Sequence, residues 1–421
     1  MPPRTRTRGE AMSTIIREMR LAGTPQGKRL LLINQYFPPD ASATAHLLGE
    51  LTADLAEHHE VWVTAGRPSY SPGSGAPPPP SVHVRRVRST RFDRSRMGGR
   101  LTNYLTFFVG AAVHAMRVPR PDVVVAFTDP PVIGLLGAAV ASLRRRPFVY
   151  VCWDIFPDVA VALGKLDRPA VVVLWRLLNR LIRTRADCIV AVGRDMREKL
   201  EREGVDKSKI VVIPHWADST LPEDAEVEAA RRDHGWEDAF VIMHAGNQGL
   251  AQNLHALVVA ADQLRNHHKL RFVFLGDGAA RKQLQHAASA RGLENIEFLP
   301  YRPKKQALET LAAADLHVIS LAPGLKGSVV ASKTYGILAL GRPFIAAVED
   351  GSEIARLVEE TGAGVRVEPS DSDELSARIQ QFAEGELEGA TMGSRGRTAF
   401  EAGYTRQHGT SRYRKAIEDL L

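Results

Sequence analysis

The chain has 421 residues, 44% of them hydrophobic, with a formal net charge of +7 and two cysteines. That length suits two or three cores of ordinary size. Cys152 and Cys188 both sit in apolar runs, which excludes a disulfide framework, and there is no Cys/His cluster with zinc spacing.

The amino end, MPPRTRTRGEAMSTIIREMRLAGTPQGK, carries arginines without an apolar centre, so it is not a secretory signal. Residues 1–27 read as a disordered extension, with Met12 as a second possible start. No apolar run reaches the roughly 18–20 residues that span a bilayer. LTNYLTFFVGAAVHAM at 101–116 comes closest and has a histidine inside. The expected location is cytoplasmic, with contact at the inner face of the membrane.

RLLLINQYF (29–37) is a compact apolar run stopped by Pro38-Pro39. In the next segment Leu47, Leu48, Leu51 and Leu55 share a helical face, and EVWVTAG (60–66) reads as a second strand. A strand–helix–strand order predicts a parallel sheet. RPSYSPGSGAPPPP (67–80) is a loop by composition. The alternation resumes with DVVVAFT (122–128), a helical PVIGLLGAAVASL, PFVYVCWD (147–154), an amphipathic helix over 169–184, DCIVAVG and IVVIPHW. Residues 219–235 are polar and lack a strand period, which marks a connection between domains.

A second series then begins: FVIMHAG (240–246), RFVFLGDG (271–278), IEFLP, LHVISL and PFIAAV, with helices near 252–267, 280–291, 305–313 and 353–361. Two such series predict an α/β protein of two doubly wound Rossmann-like domains facing a cleft. The expected division is 28–218, the connection 219–235, 236–400, and a C-terminal helix in 401–421 packing back on the first domain.

In open parallel sheets, ligands bind beyond the carboxyl ends of the strands, so the segments after strands matter most. NQYFPPDASATAH (34–46) places Ser42 and Thr44 before a helix, where they either cap it or leave N–H groups free for an anion. VCWDIFPD ends a strand in Asp154, a carboxylate suited to orient or deprotonate a sugar hydroxyl, or else to cap a turn. HAGNQGLAQN carries Gly246, Asn247 and Gly249 in a turn into a helix, where a phosphate could approach the backbone or where the turn is plain. FLGDGAARKQL places Gly276 and Gly278 one turn ahead of Arg281. SVVASKTYGILALGRP sets Ser332 and Lys333 at a helix start. The helix dipole disfavours a cation there, and a bound diphosphate would favour both. DSDEL (371–375) imitates a metal-binding Asp-x-Asp but opens a helix, where acids are expected anyway.

Between Arg85 and Arg100 lie seven arginines (85, 86, 88, 91, 94, 96 and 100) against one acid, Asp93, followed by Tyr104, Phe107 and Phe108. This suits an anionic membrane surface or a solvated loop ahead of a core helix. No recognised nucleic-acid module accompanies it.

Taken in order, NQYFPPDASATA, VCWDIFPD, VIPHWAD, HAGNQG, FLGDG, SKTYGILALGRP and GSEIARLVEETGAG make residues 29–418 resemble the family-4 glycosyltransferases of the GT-B fold. The similarity is to bacterial enzymes of O-antigen, capsule and colanic-acid assembly. The resemblance implies a retaining hexosyl- or N-acetylhexosaminyl-transferase acting in cell-envelope polysaccharide biosynthesis. It also implies a nucleotide-diphosphate sugar as donor, a glycan or polyprenyl-diphosphate-linked acceptor, and no cofactor or obligatory metal. Lys333 matches the family's Ser-Lys-x-Tyr lysine, Asn247 stands where many relatives have an arginine, and Asp154 matches an Asp-x-x-Pro. The paired glutamates of many members are Ser328 and Gly336 here, leaving Glu353 as the candidate for the ribose. Two alternatives stand beside this reading: a GT-B nucleotide-sugar epimerase and a non-catalytic partner subunit.

Overall fold

The computed structural model describes residues 27–40, 42–68, 76–88, 90 and 97–421, except for the side chains of 97–101. The expected disordered extension, and Arg91, Arg94 and Arg96 of the basic stretch, lie outside the described residues.

Contacts divide the chain into two compact units. One takes in the residues up to Tyr150 together with Arg414–Leu421, and the other is Val151–Tyr413. The boundary falls inside a strand. Thirteen strands among the described residues form two sheets. The first consists of β1 (Arg29–Ile33), β2 (Glu60–Gly66), β3 (His83–Val87), β4 (Val123–Ala126), β5 (Phe148–Cys152), β6 (Cys188–Ala191) and β7 (Ile210–Val212). Its order is β3-β2-β1-β4-β5-β6-β7. The second consists of β8 (Phe240–Ala245), β9 (Leu270–Leu275), β10 (Ile296–Leu299), β11 (Leu316–Ser320), β12 (Phe344–Ala347) and β13 (Gly364–Val367), ordered β10-β9-β8-β11-β12-β13. In both sheets the order reverses beside the first strand of the series, at β1/β4 and at β8/β11. Such switch points are where doubly wound sheets open a crevice.

In the first unit, β1 lies parallel to β2 and β4, with Leu31 opposite Trp62 and Val124. The strands are continuous aliphatic runs because helices cover both faces; Leu30 to Ile33 and Val123 to Ala126 are all essentially buried. The helix Ala43–Leu55 turns Leu47, Leu48, Leu51 and Leu55 inward, and Ser42 caps it, its Oγ accepting from the Ala45 N–H at 3.2 Å. Strand β3 was not legible among the arginines. It forms because His83 stacks on Trp62 at 4.5 Å and Arg85 lies over the same ring. Arg86 turns the other way and donates to the carbonyls of Phe37, Pro38 and Gly66, holding the loop after β1. Within this unit the end of the chain is tied down by His59–Glu418 at 3.2 Å and by Arg414 against His58.

In the second unit, Phe272, Phe274, Leu316, Val318 and Ile345 build one core face, while Trp236, Val241, Met243 and Val273 build the other. The polar segment 219–235 contains a helix, Asp224–His234, closed by a reciprocal Glu223/Glu226 capping box. Its Arg231 reaches Asp315 at 3.1 Å. Besides that helix, Asp158–Ala162, Arg194–Arg202 and Gly389–Gly403 escaped the sequence reading. The first is a single short turn, the second is short and highly charged, and the third has glycines at 393 and 396 that obscure its period.

Candidate active site

The crevice beside β8 collects the sequence candidates. Strand β8 ends in Ala245 and the chain turns at Gly246, whose φ of +107° suits only glycine. The next turn, after β9, is packed directly on it. Gly246 N–H donates to the Leu275 carbonyl, Gln248 N–H to Asp277 and Ala280 N–H to Gln248, each at 2.8–2.9 Å. Gly276 has a φ of +130°, and a Cβ there would lie 2.1 Å from the Gly246 carbonyl oxygen. Gly276 is therefore required by the contact between two loops, and Gly246 by its backbone conformation. Asn247 and Gly249 lie on this double turn, and the Gly249 N–H donates to the Gln252 side chain at 3.1 Å.

Lys333 is the first residue of the short helix Lys333–Ala339. Its ammonium points at that turn: the position of a Cβ on Gly246 would be 3.7 Å from Lys333 Nζ. The partner of Nζ is His244 Nε2, 3.0 Å away. His244 Nδ1 is 3.2 Å from the Val318 carbonyl, to which it donates. That bond fixes the tautomer and presents the bare Nε2 to the lysine. His244 is fully buried, and burial with the adjacent lysine holds its pKa well below the ordinary histidine value, so the ring is neutral. His317, whose Nε2 lies 3.1 Å from the Leu311 carbonyl, is pushed down by burial to about 4. Lys333 thus meets one neutral ring, and among the described residues no carboxylate pairs with it. Burial lowers its ammonium from 10.5 to about 7.

The loop before Lys333 is held by the segments after β5 and β6. Asp154 forms an isolated antiparallel bridge with Val329, and the Ile155 N–H donates to the Ser328 carbonyl at 2.9 Å. Asp195 accepts from Gly327 N–H at 3.0 Å and from its neighbour Met196 at 2.7 Å. Burial still pushes the Asp195 carboxyl up, against those backbone donors. Beside this seam His215 lies edge-on to Trp153 at 5.4 Å and to Tyr335 at 6.4 Å. Burial lowers its pKa to about 4.

Asp154, Ser332 and Lys333 are therefore joined through one loop, and Gly246, Asn247, Gly249, Gly276 and Gly278 through two packed turns. Arg281 stands beside them, but its guanidinium donates to the carbonyls of Gly276, Leu299 and Phe298. Glu353 opens the helix Glu353–Thr361. Its carboxylate accepts from the Arg194 backbone at 2.6 Å and from the Arg194 side chain at 3.2 Å. Ser42 and Thr44 belong to the other unit, and Ser42 Oγ is its helix cap. Gly336 has open space where a side chain would stand, whereas Ser328 is buried. Asp371 of DSDEL caps its helix, accepting from Glu374 N–H at 2.9 Å.

His244 and His215 lie in strand segments recognised from the sequence, FVIMHAG and IVVIPHW, without a role assigned, and Arg194 lies just past DCIVAVG. The usable signal was a histidine inside an otherwise apolar strand, FVIMHAG, where a buried imidazole needs a polar partner.

Comparison with known proteins gives the family and the fold. Residues 42–216 match the glycosyl transferase 4-like domain, and residues 226–399 match the glycosyl transferases group 1 domain. WbjE of Pseudomonas aeruginosa, described as a probable glycosyltransferase, is 27% identical over 406 residues, covering 93% of this chain and 98% of that protein. HepE of Anabaena, solved with UDP-glucose, superposes with a TM-score of 0.72 at 18% identity, over 93% of this chain and all of HepE. WaaG, a glycosyltransferase involved in lipopolysaccharide biosynthesis, gives 0.69 at 15% identity, over 92% of this chain and 99% of its own. The two family models together span most of the sequence, and the chain belongs to the family-4 glycosyltransferases of the GT-B fold.

Proposed function

We propose that this enzyme transfers a sugar from a nucleotide-diphosphate donor, with retention of anomeric configuration, to a lipid-linked glycan acceptor in cell-envelope or exported-polysaccharide assembly. The observation that carries the reading is the Lys333–His244 pair, a half-buried lysine held 3.0 Å from a neutral ring and aimed at a glycine turn. A half-buried cation with no carboxylate partner among the described residues, aimed at a glycine turn, is arranged for an anion that arrives with the substrate. A diphosphate leaving group fits that description, and the UDP-glucose complex of HepE supports a nucleotide sugar as its source.

In this scheme Lys333 neutralises the departing diphosphate, with Ser332 and the turn carrying Gly246, Asn247 and Gly249 beside it. Asp154 orients the acceptor hydroxyl. The lysine supplies the positive charge, without an obligatory metal. Glu353 reaches a ribose hydroxyl only by exchanging its ion pair with Arg194, and Arg281 reaches a phosphate only through donors that its three carbonyls leave over. Ser42 and Thr44 lie on the acceptor side.

We further propose that the protein works at the inner face of the membrane. Arg85 and Arg88 precede the helix Met97–Arg117, which exposes Leu105 (62%), Val109 (58%), Val113 (46%) and Met116 (41%) at helical spacing. Among the described residues no helix is long and apolar enough to cross a membrane.

Purified enzyme incubated with a panel of nucleotide sugars and a polyprenyl-diphosphate sugar should release nucleoside diphosphate with one donor, and Lys333→Ala should lower kcat by about 100-fold or more. Near-normal turnover in that variant would overturn the assignment of the lysine. An epimerised donor as the product would overturn transfer.

A further inference from the structure

The helix Pro169–Arg185 is poorly covered for its composition. Of its 17 residues only Asn179, Ile182 and Arg183 are buried. Val173, Leu174, Leu177 and Leu181 are 56%, 57%, 53% and 62% exposed. Positions 174, 177 and 181 follow the three-then-four spacing of one helical face, with 173 at its border. Four large aliphatic side chains on one short face exceed what scattered surface residues explain.

Charge decides what covers this face. From Arg168 to Ala186 there are five arginines (168, 176, 180, 183 and 185) and no acid. A cavity of about 740 Å³ opens alongside, with Val173, Leu177, Arg176, Arg180 and Arg183 on the helix wall and Lys209 opposite. The acids at this cavity are matched. Asp158 meets Arg176 at 2.7 Å and Lys199 at 2.9 Å, and Glu203 meets Arg183 and Lys199. Asp206 accepts from its own turn at Ser208 N–H. Arg180 is exposed and makes no ion pair among the described residues. A second copy of this face would bring Arg180, which no acid holds among the described residues, near its own counterpart.

We propose that this helix is a docking surface for an anionic lipid bilayer. The 174/177/181 face enters the headgroup–acyl boundary, while Arg180, the cation of the cavity wall that neither an acid nor a carbonyl among the described residues holds, takes a lipid phosphate; Arg176 and Arg183 keep their acids and Lys209 its two carbonyls. Each aliphatic side chain leaves water for hydrocarbon, and the arginines keep their charged ends at headgroup level. The site is separate from the 85–117 segment and does not rest on the chemistry assigned to Lys333.

The test is cosedimentation of the full chain with phosphatidylcholine vesicles containing 30% phosphatidylglycerol, in parallel with pure phosphatidylcholine. Wild type should bind the anionic vesicles, lose most binding in ~0.5 M salt, and bind the neutral vesicles at least about tenfold more weakly. The variant Leu174→Ser/Leu177→Ser/Leu181→Ser should lose anionic binding about tenfold or more while keeping the wild-type thermal shift with UDP. Arg180→Glu, which leaves the apolar face intact, should weaken it severalfold. Wild-type binding by the triple-serine variant, absence of any vesicle binding by wild type, or a wild-type dimer converted to monomer by that variant would each overturn the proposal. An Arg85→Ser/Arg88→Ser variant run beside these separates this surface from the other segment, because losses there leave the leucine result unchanged.

Discussion

With Lys333 against the donor diphosphate as proposed, its lowered pKa makes nucleotide binding a proton-coupled event. The free ammonium loses its proton at about 7. A diphosphate beside it favours the charged form, so the bound pKa rises and binding takes up a proton. The competent fraction of the free site is then about one half at pH 7, one tenth at pH 8 and one hundredth at pH 9. Apparent affinity for UDP should fall about fivefold from pH 7 to 8 and about fiftyfold from pH 7 to 9. The last phosphate ionisation, with pKa near 6, is essentially complete above neutrality, so the ligand does not cause this decline. Titration calorimetry in buffers of different ionisation heat should report uptake of about half a proton at pH 7 and nearly one at pH 8.5. A flat affinity from pH 7 to 9 with no proton uptake would refute the reasoning.

The same burial acts on stability, and the sign follows from the two pKa values. The unfolded lysine titrates near 10.5 and the folded one at about 7, so between these the unfolded chain holds more protons. The group therefore destabilises the ligand-free protein by an amount that is full below about pH 7 and fades as pH rises toward 10.5. At neutral pH it is on the order of 4 kcal/mol, and at pH 9 about half that. Lys333→Met, which keeps the stem and removes the charge, should melt higher than wild type at pH 7, by a margin that shrinks at pH 9. A variant that melts lower at both values would show that the lysine is not strained in the empty site.

Gly276→Ala should lower the melting temperature by roughly 5–10 °C, about 2–3 kcal/mol, because it adds a positive-φ penalty to a Cβ 2.1 Å from a carbonyl oxygen; an unchanged melt would mean the two turns separate easily. Gly336→Glu has room to be accommodated and replaces a helical glycine, so it should leave the melt unchanged or raise it by up to about 1 kcal/mol. If this helix borders the ribose, the same variant should bind UDP severalfold more tightly, and an unchanged Kd would place the ribose elsewhere.

The β/α alternation was legible because both sheets are parallel and covered. Their strands are unbroken aliphatic runs, such as VVVA at β4 and FIAA at β12, and a helix face separates each from the next. Strand β3 was not legible, because it stands at a sheet edge and alternates histidine and arginine with valine. Its membership is decided by the stack of His83 on Trp62, a contact between residues 21 positions apart. Arg86 shows the same limit. Counted with the basic stretch it reads as a surface cation, yet it is a clamp on three carbonyls of the β1 loop and of the end of β2.

At the site, what a sequence motif encodes is the backbone setting, and what it leaves open is the charge state. The helix start marked Lys333 and the strand ends marked the glycine turns, while Ser-Lys-x-Tyr came from the family resemblance. Whether that lysine is charged depends on its burial and on what stands beside Nζ, which is His244, 89 residues away and itself held neutral by burial. An acid in the place of His244 would keep the ammonium protonated but would also compete with a diphosphate for it. A neutral acceptor positions Nζ by a hydrogen bond without supplying a counter-charge, so that role stays open for the substrate. His244→Gln, which retains an acceptor, should therefore preserve more diphosphate affinity than His244→Asp, even though aspartate raises the lysine pKa. Tighter UDP binding by the aspartate variant would mean that the charge of Lys333, more than its freedom from a carboxylate, limits the site.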